Sequence, residues 1–367
     1  MKVLLLGGCA DMAVPMLRFL GDDPAVESVL ISDLNAERAS ALAAQLGGKF
    51  TSAGCDANDP ARVESLMSGH DVAVCYIGPF YFFERKLAAC AIRAGIPYVS
   101  IADDFDAYLD VMKLDGEASA AGVKILTGFG NSPGLTQILA RKGYNEVPNP
   151  FRISVNWCGG SDEAVGPSNL THVFHIFNGA APQWIEGRRV MLKAGGGRKL
   201  VEFPAPVGKC PVYHTGHAES VTLPENLAGL REVTVHGGTS PAYIVTLIKM
   251  MSALGLFRSH SRRVSMASFF HRIEGWFASA GQDKSVGRVE VYGADGGAEV
   301  CRCFTYVGHI ADITSAPAYL AAKWLCEGRF DAKPGGVYAP ERILDAPDEF
   351  IEDLKKLGVQ IAELPVA

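Results

Sequence analysis

Val3-Leu4-Leu5-Leu6-Gly7-Gly8-Cys9-Ala10-Asp11-Met12 stands almost at the start of the chain. Four consecutive apolar residues suit a parallel strand covered on both faces. The glycines that follow at once predict a tight turn into a helix. Set against the dinucleotide fingerprint G-x-G-x-x-G, Gly7 holds the first glycine position, Cys9 the second and Met12 the third. A strand, a glycine turn and a helix aim backbone N–H groups and the positive helix end at one point, which suits a pyrophosphate. Gly7 meets the need of the turn. At Cys9 the Cβ loosens the approach to the phosphates, or Gly8 takes over that role. Gly7, Gly8, Cys9, Ala10, Asp11 and Met12 are therefore candidate cofactor contacts. An ordinary sheet turn without a ligand is the plain alternative.

The residues that follow support the cofactor reading. Val29-Leu30-Ile31-Ser32-Asp33 reads as a second strand ending in an acid. A carboxylate there accepts hydrogen bonds from a ribose diol and repels a 2′-phosphate, which favours NAD. Arg38, about one helical turn later, softens that repulsion, so NADP stays open. Asn35 reads as the N-cap of a helix through Leu46. Phe50–Cys55, Asp71–Ile77, Pro97–Ile101 and Val123–Gly128 are further strand candidates. Pro60–Ser68, Phe83–Ala94 (closed by Gly95) and Asp106–Ala121 are the helices between them. Such alternation predicts a parallel sheet with helices on both sides. Two loops lie where ligands bind in open α/β sheets: Ile77-Gly78-Pro79 and Gly128-Phe129-Gly130-Asn131. Either alone reads as a plain turn. Together they add Ile77, Gly78, Pro79, Gly130 and Asn131 to the candidate contacts.

From Phe151 the texture changes. Arg152–Cys158, Val201–Phe203, Val233–His236, Arg288–Tyr292 and Glu299–Val307 read as strands. Asn169–Asn178, Ala242–Leu254 and Ser265–Phe277 read as helices, and Ser259–Arg263 as an exposed loop. Gly195-Gly196-Gly197 reads as a hairpin turn. A mixed sheet with helices on one face is expected. The end returns to helix at Ala316–Glu327 and Pro347–Leu357.

The chain has 367 residues, 48% hydrophobic and 20% charged, which suggests two globular domains. A net charge of −6 leaves no electrostatic footprint for nucleic acid. No apolar run is long enough to span a membrane, no secretory leader is read, and a cytoplasmic location without membrane partners is expected. Nine scattered cysteines read as reduced thiols, and the Cys301-Arg302-Cys303 pair does not have zinc-ligand spacing, so no metal is expected. Tyr213-His214-Thr215-Gly216-His217-Ala218-Glu219 concentrates titratable groups. A general base with an orienting partner is the functional reading, and loop polarity the alternative.

These pieces together resemble the saccharopine dehydrogenase-like family, which includes lysine 6-dehydrogenases, carboxynorspermidine dehydrogenases and saccharopine-forming reductases. Asp56-Ala57-Asn58-Asp59, Ile77-Gly78-Pro79-Phe80, Ala89–Val99, Gly128–Leu135, Gly216-His217-Ala218-Glu219, Thr314-Ser315-Ala316-Pro317 and Gly335–Glu341 carry the resemblance. It implies an α/β fold: a Rossmann doubly wound parallel sheet from residues 1–130 and 316–367, plus an inserted α+β mixed-sheet domain over 131–315 that binds substrate and forms a homodimer. It places Asp56 near the adenine, and Ala57 beside it joins the candidate cofactor contacts. Ser100 and Ser132 depart from it, since relatives often carry Asp there.

The resemblance implies an NAD(P)-dependent oxidoreductase acting on a C–N bond of an amino acid or polyamine. His217, partnered by Glu219, is the first candidate for the base, Asp104 the second, and Tyr81 is expected to position the substrate. Arg188, Arg189 and Arg231 are candidates to grip a substrate carboxylate. Reduction of another imine or carbonyl, or nucleotide binding without turnover, are the alternatives.

Overall fold

A computed structural model describes residues 1–160, 163, 166–273 and 283–365. The strands are β1 (Lys2–Leu6), β2 (Ser28–Asp33), β3 (Phe50–Gly54), β4 (Val72–Cys75), β5 (Tyr98–Ser100), β6 (Lys124–Leu126), β7 (Pro150–Gly160), β8 (Ala180–Ile185), β9 (Arg188–Lys193), β10 (Lys199–Glu202), β11 (Lys209–His214), β12 (Glu232–Ser240), β13 (Ser285–Asp295), β14 (Ala298–Gly308), β15 (Gly336–Tyr338) and β16 (Gln360–Leu364). The helices are α1 (Val14–Asp22), α2 (Ala36–Leu46), α3 (Pro60–Met67), α4 (Phe80–Ala94), α5 (Phe105–Val111), α6 (Asp115–Ala121), α7 (Leu135–Glu146), α8 (Pro167–Ile176), α9 (Glu219–Asn226), α10 (Tyr243–Ala253), α11 (His260–Ile273), α12 (Ile310–Cys326), α13 (Pro340–Ile343) and α14 (Asp348–Lys356).

Two compact units result: Met1–Gly134 with Thr314–Ile343, and Leu135–Ile313 with Leu344–Ala367. In the first unit, seven parallel strands run in the order β15-β6-β5-β4-β1-β2-β3. This is the doubly wound order, whose chain reverses beside β1, where ligands bind beyond the carboxyl ends of the strands. Val3 to Leu6 are fully buried, as a strand covered on both faces requires. Leu4, Leu6, Val63, Leu87, Tyr98, Ile125 and Val337 belong to one core on one side of that sheet. Asn35 caps α2 by accepting from the Arg38 amide at 2.9 Å, and Gly95 ends α4 in the left-handed region.

The second unit is a mixed sheet in the order β10-β11-β12-β7-β13-β14-β16, with the β8–β9 hairpin attached to β12. The chain is therefore α/β with a Rossmann parallel sheet and a second, mixed-sheet domain. The boundaries differ from the expectation of 1–130 with 316–367. Residues 344–367 join the second unit, because β16 pairs antiparallel with β14 from Cys303↔Leu364 to Val307↔Gln360.

Other differences have local causes. The helix expected over Asp106–Ala121 breaks into α5 and α6 around a tight turn at Met112–Leu114. Gly195–Gly197 does not join neighbouring strands: β9 pairs with β8 and β10 with β11. Ser259–Arg263, expected as a loop, leads into and forms the first turn of α11, where Ser259 Oγ accepts from the Arg262 amide. Of the helix expected over Ser265–Phe277, Glu274–Phe277 lie outside the described residues. No described helix is long and apolar enough to cross a membrane.

Candidate functional site

In the first unit, Gly7 leaves β1 with φ +74°, a conformation disfavoured for residues with a Cβ. Its amide donates to the Ser32 carbonyl at 2.8 Å, and the Gly8 amide donates to the same oxygen at 3.2 Å. A Cβ on Gly7 would lie 2.9 Å from Ile77 Cγ1 and 3.0 Å from the Tyr76 carbonyl carbon. The glycine turn thus touches the loop after β4, and Ile77 fixes how close the two approach. The Tyr76 hydroxyl and the Ser315 hydroxyl are 2.7 Å apart, and Ser315 also donates to the Met12 carbonyl at 2.6 Å. Ser315, on α12, therefore ties both loops together, a role the sequence reading did not assign to it.

Asp33 closes the turn from the β2 side. Its Oδ2 accepts from the Cys9 amide at 3.2 Å and its Oδ1 from the Asn35 amide at 3.0 Å. Burial, then the Asp33 charge, pushes the Cys9 thiol up to about 11, so Cys9 stays a neutral packing residue. Arg38 lies 3.8 Å from Asp11, bringing a cation to the same corner. Ala10 leads into a short turn of helix at Asp11–Ala13. Beyond β3, Asp56 Oδ1 accepts from the Asn58 amide at 2.8 Å, and Ala57 packs against the core. Gly78-Pro79, a cis pair, leads into α4 with Pro79 at its N-cap position. Gly130 donates to the Pro133 carbonyl at 3.2 Å, and beside it Asn131 Oδ1 is buried with no hydrogen-bond partner among the described residues. Dinucleotide binding fits these residues: Gly7 and Gly8 let the turn pack closely on the Ile77 loop and on β1 and β2, and Asn131 offers an unused acceptor to a ligand hydroxyl or amide.

Tyr81 and Asp104 come together, the Tyr81 amide donating to Asp104 Oδ2 at 3.4 Å. Next to them, buried Glu84 accepts from Tyr98, Ser100 and Thr127 hydroxyls at 3.0, 2.5 and 2.8 Å. Burial pushes the Glu84 carboxyl above its ordinary range despite these donors. An Asp in place of Ser100 would set a second carboxylate against it, which gives the departure at Ser100 a physical reason.

In the second unit, one cross-strand row runs Gly237–Trp157–Gly287–Tyr306 over β12, β7, β13 and β14. Large and small residues alternate because the rings lie over the glycines. A Cβ on Gly237 would fall 2.1 Å from the Trp157 ring, and one on Gly287 2.1 Å from that of Tyr306. Trp157 stacks on His217 at 5.0 Å between ring centres, 14° from parallel. His217 Nε2 is 3.3 Å from His172 Nε2, and its Nδ1 is 3.9 Å from Glu219 Oε2. Thr136 donates to Glu219 Oε1 at 2.7 Å. His217, His172, Glu219 and Thr136 are buried, and Trp157 is partly buried. Burial, then Glu219, holds the Tyr306 phenol well above its ordinary value. Trp157 Nε1, Thr215 Oγ1 and the Tyr306 hydroxyl are buried polar atoms with no hydrogen-bond partner among the described residues. A histidine pair, a carboxyl group and these polar atoms can hold and move one proton.

His172, Trp157, Thr136 and Tyr306 were not singled out from the sequence. His172 lies on α8, distant in sequence from His217, and no local spacing announces it. Of the Tyr213–Glu219 run, His214 turns instead to His236, 4.7 Å away ring to ring. Burial, then His214 and Lys199, depresses His236 to about 3. The candidate arginines do not gather at His217. Arg188 is exposed 3.8 Å from Glu186, Arg189 pairs with Glu225 at 2.9 Å, and Arg231 is exposed.

Residues 3–126 match the family model described as the saccharopine dehydrogenase NADP binding domain. The whole chain aligns with the full length of apo saccharopine dehydrogenase (L-Glu forming) from Saccharomyces cerevisiae, at TM-score 0.73 and 17% identity. It also aligns over its whole length with 91% of a homospermidine synthase from Legionella pneumophila in complex with NAD, at TM-score 0.66 and 13% identity. At such identities the likeness to these structures establishes the shared fold.

Proposed function

We propose, on the premise that residues 3–126 form a saccharopine dehydrogenase-type nicotinamide dinucleotide-binding domain, that the chain is an oxidoreductase acting on a C–N bond of an amino acid or polyamine. The observation that carries this reading is the Gly7 turn, held to Asp33 through the Cys9 amide and to the Ile77 loop by close approach. Asp33 favours NAD over NADP through its charge at the ribose position. The second unit is assigned substrate binding and homodimer formation.

When bound, the nicotinamide ring supplies hydride exchange with the carbon next to nitrogen. This chain's residues manage the proton. His217 is assigned as the base that keeps the substrate amine neutral, acting through Nε2, with Glu219 orienting the ring from the Nδ1 side. Thr136 fixes Glu219, and Trp157 fixes the plane of the imidazole. Asp104 is the second candidate for the base. Tyr81, whose amide meets Asp104, is assigned to substrate positioning.

Absorbance of the reduced nicotinamide over a panel of lysine, saccharopine, ornithine and diamines tests the reaction class. Turnover of at least one is expected, and none across the panel, with cofactor binding intact, would end the C–N reading. His217→Ala should lower the rate by about a hundredfold or more, the usual scale for a general base. An unchanged rate and pH profile would remove His217 from the mechanism.

A further inference from the structure

Half of the exposed large apolar side chains among the described residues lie between Tyr243 and Phe269. Tyr243, Leu247, Met250 and Leu254 recur at i, i+4, i+7 and i+11, so they form one stripe along α10 and its C-terminal cap. Met250 is 61% and Leu254 76% exposed. The other side of α10 is already used: Val245, Ile248 and Met251 are buried with Phe174, Phe177 and Phe257. The stripe is therefore surplus to the core. α11 adds Val264 and Phe269, also exposed.

Along the sequence, the charge of this segment is one-sided. From Val233 to Ile273 the sequence holds neither Asp nor Glu, but carries Lys249, Arg258, Arg262, Arg263 and Arg272. Arg258, Arg262 and Arg272 are exposed. In a chain whose net charge is −6, this segment has the opposite sign. Exposed aliphatic and aromatic side chains on helices that carry arginines, with no acid between Val233 and Ile273, match a surface that is apolar within and anionic at its boundary. Neither helix is long and apolar enough to cross a bilayer, so the contact this chemistry fits is peripheral.

We propose that the α10–α11 face docks on an anionic lipid bilayer, with Leu247, Met250 and Leu254 at the boundary between headgroups and acyl chains and Arg258 and Arg262 against lipid phosphates. Guanidinium groups bind phosphate oxygens in pairs, and the stripe removes apolar surface from water on contact.

The test is co-sedimentation of the full chain with vesicles of phosphatidylcholine alone or mixed with phosphatidylglycerol. Binding is expected to the mixed vesicles and to weaken as salt is raised. Leu247→Glu, Met250→Glu and Leu254→Glu together should reduce the bound fraction about tenfold or more, and Arg258→Ala with Arg262→Ala should remove the preference for the anionic lipid. These positions are exposed, and unchanged melting with NAD present verifies that the variants fold. Absence of binding to anionic vesicles, or binding that the stripe variant leaves intact, overturns the proposal. It also falls if sedimentation velocity shows that the stripe variant turns a dimer into monomers, because the face then joins two copies of this chain.

Discussion

Replacing Gly7 by Ala adds one methyl group at the point where three strands' loops converge. Two costs follow from the structure. A left-handed φ of +74° disfavours any Cβ, by roughly 1–2 kcal/mol. The new carbon would also stand 2.9 Å from Ile77 Cγ1 and 3.0 Å from the Tyr76 carbonyl carbon. Ile77 has some freedom to turn aside, but the Tyr76 backbone is held by its amide donating to the Leu6 carbonyl at 2.8 Å. Overpacking of this kind costs about 1–3 kcal/mol, so the sum is roughly 2–5 kcal/mol of local stability. Gly8→Ala is the internal control. Gly8 has an ordinary φ, and the atoms nearest its Cβ would be side-chain carbons of Ile31 and Leu5, at 2.9 and 3.1 Å, rather than backbone. Urea denaturation monitored in each unit, with calorimetric titration of NAD, measures both effects. Gly7→Ala should weaken NAD binding about tenfold or more, since the turn that presents the phosphate-facing amides has moved, and Gly8→Ala should do less. If Gly7→Ala keeps stability within about 0.5 kcal/mol and affinity within twofold, the turn is not the cofactor seat argued above.

Three further outcomes follow from other parts of the molecule. Asp33→Asn removes the charge and leaves one acceptor oxygen, enough for the Cys9 or the Asn35 amide but not for both, and should shift the NADP-to-NAD affinity ratio about tenfold toward NADP in competitive titration. His236, depressed to about 3 in the fold from an ordinary 6.5, takes up its proton more readily when unfolded; its contribution is present above pH 6.5 and is lost as pH falls toward 3. That loss is worth roughly 5 kcal/mol, and denaturation curves at pH 7, 5 and 4 should show a shallower acid slope for His236→Gln than for the parent. Thr136→Val removes the hydroxyl that donates to buried Glu219, and should lower stability by about 1–3 kcal/mol, measured by urea midpoint.

The first unit was legible because its signals are local. Val3–Leu6 is an uninterrupted apolar run, Asn35 and Gly95 mark helix ends by their own chemistry, and Asp33 follows a strand of buried residues. β15 escaped notice because three residues show no period. α9 escaped because Pro224 lies inside it. Ser259–Arg263 reads as loop because polar residues crowd there, yet Ser259 to Arg262 are exposed at the start of a helix and Arg263 is buried, donating to the Phe257 carbonyl. The partners of His217 were out of reach for a different reason. Trp157, His172, Thr136 and Tyr306 come from four elements spread along the second unit, and only strand register and helix packing bring them together. Likewise β16 shows no sequence mark of its choice of β14 as neighbour.

The chain crosses between its two units three times, at 134–135, 313–314 and 343–344. Neither unit is a continuous stretch of sequence, so neither can be excised by a single cut. The last crossing matters most for handling the protein. β16 covers β14 over Cys303–Val307, and without it those residues would present an open row of amides and carbonyls. Such an edge templates pairing with another chain. Trimming the C-terminus before Gln360, an edit that looks harmless in the sequence, would move the sheet edge from the short β16 onto β14, where Cys303, Phe304, Thr305 and Tyr306 are now buried, and favour aggregation.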